Sequence, residues 1–274
     1  MTKKALVVGI DKYEPPTRPL KAAVAEANNW ADLLRTKYGF TDIRMRPDSS
    51  ATKAVILDDL ENWLLSGAMT GDQLVFVFCG HGTVVPIGGR MADEALLMFH
   101  SPNGNRIAAA LTDSEVSAVV KRVKPPPDAL ITIILECCFA GGFDPDTVAA
   151  DFDVGPPDAD IDAQPLFEAL IDDTELSTIL TIHRFSSLWD KGIEVATVDL
   201  LVVAACEEGR FAQQLPVVSG FPPHLLFSSR AIPALRQNFK RTYLLLLKAI
   251  NPLASDQRAT LLGNVPRRPH PFLT

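Results

Sequence analysis

No stretch of this sequence approaches the roughly 20 consecutive apolar residues that span a bilayer, and its opening apolar run, residues 5–10, is too short for the core of a secretion signal. A soluble protein that does not enter a membrane is the expectation. Basic patches are lacking too. The formal net charge is −7, which argues against a general nucleic-acid binder, because phosphate affinity depends on clustered Lys and Arg that release counterions. Cysteine is scarce: four residues, two of them adjacent, do not make a disulfide framework in a chain this long, and free thiols suit a reducing compartment such as the cytoplasm. The Cys137-Cys138 adjacency also lacks the two-to-four-residue ligand spacing of a zinc site. The first apolar run ends in Gly9-Ile10-Asp11 without a glycine-rich phosphate turn, which excludes a Rossmann-type nucleotide enzyme.

What is present is enough apolar material for a sizeable core: 47% of 274 residues are hydrophobic, compatible with one large α/β domain. Four short apolar runs, residues 5–10, 73–79, 129–135 and 200–205, read as strands covered on both faces. Residues 20–38 and 52–66 have helical spacing, with Trp30, Leu33 and Leu34 on one face and Ile56, Leu60, Trp63 and Leu64 on another. Strands alternating with helices imply a mostly parallel sheet with helices on both faces. Thr112 and Glu115 read as a capping box opening a helix to Arg122, which the prolines at 125–127 stop. Residues 239–250 read as a closing helix.

Residues 143–190 break this pattern. No Lys or Arg occurs between Lys124 and Arg184, and aspartates crowd the first part of the segment. By composition this is a solvated loop, since like charges repel and stay open.

In open parallel sheets, reacting groups gather at the carboxyl ends of strands. Two ends carry chemistry. Residues 73–79 run into Gly80-His81-Gly82, and residues 129–135 run into Glu136-Cys137-Cys138-Phe139-Ala140-Gly141-Gly142. A histidine between glycines permits an exposed imidazole and a close backbone approach. A thiol is only a few per cent thiolate at neutral pH and needs a base. His81 can take its proton and later protonate a leaving amine. The amide N–H groups of Gly82 and Cys138 are the candidate oxyanion donors. Taken alone, a cysteine at a strand end is more often a small core side chain; the histidine is what changes the reading.

Gly80-His81-Gly82 and Glu136-Cys137-Cys138-Phe139-Ala140-Gly141 resemble the His and Cys motifs of caspase-like cysteine peptidases, especially metacaspases and their bacterial relatives. The resemblance extends to Gly9-Ile10, residues 20–27, Asp93-Glu94, residues 111–115, and Ala204-Ala205-Cys206 with Glu207, Glu208 and Gln213. It implies a single caspase-like domain over residues 1–274. By the family pattern Cys138 is the nucleophile and Cys137 a variable, often buried neighbour. Glu136 stands where the family usually has Asp, and Phe139-Ala140 where it often has His-Ser; neither change removes the Cys-His dyad.

The same resemblance implies an acidic S1 pocket built from Glu26 and Glu136, with Cys79 lining its wall. A carboxylate pair suits a guanidinium or ammonium and repels aspartate, so the expected substrates are proteins or peptides with Arg or Lys at P1. For Glu26 an exposed helix charge is the competing reading. The acidic segment at 143–190 falls where relatives carry an activation linker, with Arg184 and Lys191 as its basic self-cleavage sites; a zymogen activated by cleavage or by an upstream protease or partner is the expectation. No cofactor is required. Calcium, which takes several carboxylate oxygens, is a candidate regulator through Asp93, Asp113 and Asp144. A monomer is expected. The alternative is a non-catalytic caspase-fold scaffold.

Overall fold

The computed structural model describes residues 1–15, 17, 19–88, 91–101, 105–137, 199–205, 214–215, 224–251, 258–263 and 270–273. Cys138, Asp144, Arg184, Lys191 and the whole segment 143–190 lie outside the described residues.

A central six-stranded sheet has the order β11-β8-β7-β3-β1-β2, formed by β1 (Lys3–Gly9), β2 (Asp42–Pro47), β3 (Gln73–Cys79), β7 (Leu130–Glu136), β8 (Asp199–Ala204) and β11 (Thr260–Gly263). The first five run parallel, and β11 joins β8 antiparallel. The four apolar runs are thus the four inner strands, as continuous burial on both faces requires. β2 escaped the sequence reading because it is an edge strand whose residues are half-exposed or exposed. Its Arg44 and Arg46 both bond the buried carboxylate of Asp59, at 2.7 and 2.6 Å. Burial alone would raise that carboxyl, but the two guanidiniums hold it below its ordinary value.

Strand alternation sends side chains to two cores. Leu6, Val8, Phe76, Phe78, Ile133 and Leu135 face one way, against Ile56, Leu60, Leu64, Val116 and Val120. Those residues belong to α2, a helix over Lys53–Asp58 continuing as a wider π-type turn over Asp59–Leu65, and to α4 (Asp113–Val123). The capping box at Thr112 and Glu115 is formed as expected. Val7, Val75, Val77, Cys79, Ile134 and Val203 face the other way. They meet Trp30, Leu33 and Leu34 of α1 (Ala23–Tyr38), and Phe227, Leu235, Tyr243 and Leu246 of α5 (Leu226–Gln237) and α6 (Tyr243–Ile250). The closing helix begins at Tyr243 rather than 239, because Thr242 caps it by accepting from the Leu245 N–H.

Smaller elements fill the connections. A three-stranded antiparallel sheet comprises β4 (Gly82–Gly88), β5 (Met91–Leu97) and β6 (Ala110–Thr112), the last preceded by the short helix α3 (Arg106–Ala109). A two-stranded ribbon pairs β9 (Gln214–Leu215) with β10 (His224–Leu225). The outer edge of β8 is covered by β11 of the same chain.

Candidate active site

The registers of β1, β3 and β7 put Gly9, Cys79 and Glu136 in one row at the carboxyl edge of the sheet. Gly9 is glycine for a steric reason. A Cβ there would lie 2.7 Å from the Ala27 Cβ and 2.8 Å from the Ala23 carbonyl oxygen, so only glycine lets the first turns of α1 sit against this edge. The start of α1 is fixed by Asp11, whose carboxylate accepts from the Ala23 N–H at 2.8 Å and the Val24 N–H at 3.2 Å. These are donors that a helix start leaves without partners. Asp48 in turn accepts from the N–H groups of Asp11 and Lys12, from a backbone at φ 45°. The result is a rigid approach that delivers Glu26, in the first turn of α1, to the sheet edge.

His81 follows β3 by two residues and is partly exposed. Its N–H donates to the Tyr13 hydroxyl at 2.9 Å, its carbonyl accepts from the Leu97 N–H at 2.9 Å, and the Tyr13 ring lies 4.7 Å from the imidazole centroid. Tyr13 was not singled out by sequence. Its hydroxyl also donates to the Leu97 carbonyl at 3.2 Å, and burial pushes its pKa well above the ordinary value, so it stays a neutral hydroxyl. Gly80 makes this possible: a Cβ there would meet the Tyr13 oxygen at 2.5 Å. Gly82 opens β4 opposite Leu96 and is buried.

The cysteines divide by environment. Cys79 is fully buried, and its thiol is pushed well above its ordinary pKa by burial first and then by the charges of Glu136 and Glu26. A thiol held protonated is a poor nucleophile. Cys137 is buried in the opposite core, the one that also holds Leu135 and Phe78. Cys138 is the next residue.

Glu26 and Glu136, proposed from sequence as an acidic pair, are both buried at 2% exposure. The reading of Glu26 as an exposed helix charge is therefore corrected: α1 turns this position inward. Glu26 accepts from the Asn29 amide at 3.0 Å and pairs with His224 Nδ1 at 3.2 Å. Glu136 accepts from the Ser228 N–H at 2.9 Å and from the Ser228 hydroxyl, which itself accepts from the Trp30 indole N–H at 2.7 Å. Burial pushes Glu136 up to about 8; the Ser228 hydrogen bonds oppose this, and the Glu26 charge adds to it. His224 and Ser228 carried no motif, and only their positions, on β10 and in the first turn of α5, reveal them. Cys79, the expected pocket-wall residue, lies within the fields of both acids.

Asp113 is buried in the first turn of α4, Asp93 falls on β5, and Asp144 lies outside the described residues. Among the described residues no group of three or more His, Cys, Asp or Glu side chains is placed to hold a metal ion. No helix among them is long and apolar enough to cross a membrane.

His81 follows one inner strand, Cys137 follows its neighbour, and the buried acids Glu26 and Glu136 meet at the same edge of the sheet. The family described as metacaspase, peptidase C14 domain, matches residues 3–144, which include both motifs. The chain belongs to the metacaspase family. Metacaspase-1 of Emericella nidulans is 29% identical over 148 residues, covering 51% of this chain and 36% of that protein. Metacaspase-8 of Arabidopsis thaliana is 30% identical over 151 residues, covering 52% and 38%. The matched region thus spans little more than a third of these relatives. Protein GSU0716 from Geobacter sulfurreducens shares the fold across 100% of this chain and 99% of its own, with a TM-score of 0.67 at 17% identity. The architecture is the caspase-like α/β fold, as expected from sequence.

Proposed function

We propose that the chain is a cysteine endopeptidase that cleaves after Arg or Lys. In this reading His81 takes the proton of the Cys138 thiol, and the thiolate attacks the scissile carbonyl carbon. The N–H groups of Gly82 and Cys138 hold the resulting oxyanion. Collapse breaks the C–N bond as His81 returns the proton to the leaving amine. Water, deprotonated by His81, then hydrolyses the thioester, releasing the new carboxyl terminus and the thiol.

The observation that carries the specificity is the buried pair Glu26 and Glu136. Their mutual repulsion and the burial of Glu136 describe a site short of positive charge. A guanidinium or ammonium entering there would be held by charge-assisted hydrogen bonds, whereas an aspartate at P1 would add a further negative charge. Labelling with a peptidyl chloromethyl ketone ending in Arg, followed by mapping of the adduct, tests both parts together. An adduct on Cys138 that an Asp-ended reagent does not form supports the reading; an adduct on Cys79 or Cys137, or preference for the Asp reagent, contradicts it.

Regulation follows from the same specificity. A basic-P1 peptidase has only Arg184 and Lys191 to cut within the region 125–198, so self-processing yields fragments beginning at Phe185 or Gly192. N-terminal sequencing of processed protein checks this, and fragments beginning elsewhere in that region count against it. A monomer, with an upstream protease or regulatory partner as the activator, completes this reading.

A further inference from the structure

The short segment from β10 into α5 reaches both acids of the candidate S1 pocket. His224, on β10, takes Glu26 Oε1 at 3.2 Å, and four residues later Ser228 donates twice to Glu136. The two contacts differ in kind. Ser228 is fully buried, and Trp30 fixes its hydroxyl, so it is a fixed partner of Glu136. The His224 side chain is 37% exposed whereas that of Glu26 is 3% exposed, so the imidazole approaches the carboxylate from the solvent side.

We propose that His224 is a specificity-determining residue of this pocket: its imidazole occupies Glu26 as an internal stand-in for a basic side chain, and an incoming Arg or Lys must displace it. The inference rests on the reading of Glu26 and Glu136 as the P1 pocket.

Stand-in and substrate compete for one carboxylate oxygen. His224 holds Glu26 Oε1 and the Asn29 amide holds Oε2, so a guanidinium or ammonium that takes Oε1 must move the imidazole while the Asn29 contact stays in place.

The test is steady-state hydrolysis of Arg-P1, Lys-P1 and Asp-P1 fluorogenic peptides by the full chain at one pH, comparing wild type, His224→Ala and His224→Lys. Removing the half-exposed competitor lowers KM for the basic peptides by about two- to fivefold, with the effect in KM rather than kcat. His224→Lys, a stand-in with a fixed positive charge, raises KM. An unchanged or higher KM in His224→Ala, a lower KM in His224→Lys, or an effect confined to kcat would overturn the proposal while leaving the basic-P1 reading intact. Preference of all three proteins for the Asp-P1 peptide overturns the basic-P1 reading and this inference with it.

Discussion

The Tyr13 hydroxyl accepts the His81 N–H at 2.9 Å and donates to the Leu97 carbonyl at 3.2 Å, while its ring packs against the imidazole. A tyrosine on the loop after β1 therefore ties the end of β3 to the end of β5 and gives the histidine a wall. In Tyr13→Phe the wall persists but the part-buried His81 N–H and the buried Leu97 carbonyl lose this hydroxyl, at a cost of about 1–3 kcal/mol. The expected outcome is a roughly tenfold loss of kcat with little change in KM. A change confined to KM would show that Tyr13 acts on the substrate and not on His81.

Gly80 and Tyr13 form one steric unit, because a Cβ at Gly80 would meet the Tyr13 oxygen at 2.5 Å and the Phe78 ring at 2.7 Å. Gly80→Ala is expected to lower the melting temperature and activity together. The double variant Gly80→Ala, Tyr13→Phe removes one of the two clashes, so its effects are expected to total less than the sum of the singles. Strict additivity would contradict the contact.

Glu136 makes stability depend on pH. Its ordinary value is 4.5 and its folded value about 8, so between these limits the unfolded chain has lost the proton that the folded chain keeps. The contribution is fully present below pH 4.5, and is lost progressively as pH rises towards 8. Glu136→Gln removes the titration while retaining an acceptor for Ser228. The melting-temperature difference, variant minus wild type, is expected to grow from pH 5 to pH 8, reaching the equivalent of roughly 2–4 kcal/mol. A constant difference would show that Glu136 titrates normally.

The inner strands and the two long helices were legible because their signals are local: continuous β-branched runs, 3.6-residue spacing and a capping box. The Gly-His-Gly and Glu-Cys-Cys motifs were legible as segments at strand ends, and the family match over residues 3–144 includes both. β2 was not, because an edge strand alternating Ile43 and Met45 with Arg44 and Arg46 carries little apolar signal. Tyr13, His224 and Ser228 were not legible either. Each acts through a partner 68 to 198 positions away in sequence, and no local pattern announces such a contact. Asp11 falls between: it stands at a strand end, yet the helix it caps starts 12 residues later.

Asp11→Ala is expected to expose that dependence. Two N–H groups at the start of α1 lose their acceptor, which costs about 1–2 kcal/mol, read as a lower midpoint in urea. Because α1 carries Glu26, KM for basic-P1 peptides is expected to rise as well. Loss of stability without any change in KM would separate the cap from the pocket.

The most direct test of the central claim is hydrolysis of matched fluorogenic peptides with Arg, Lys or Asp at P1 by wild type and by Cys138→Ala, each with and without calcium. Cleavage of the Arg and Lys peptides alone, abolished in Cys138→Ala, is the predicted result. Cleavage of the Asp peptide, or activity that survives Cys138→Ala, would contradict it.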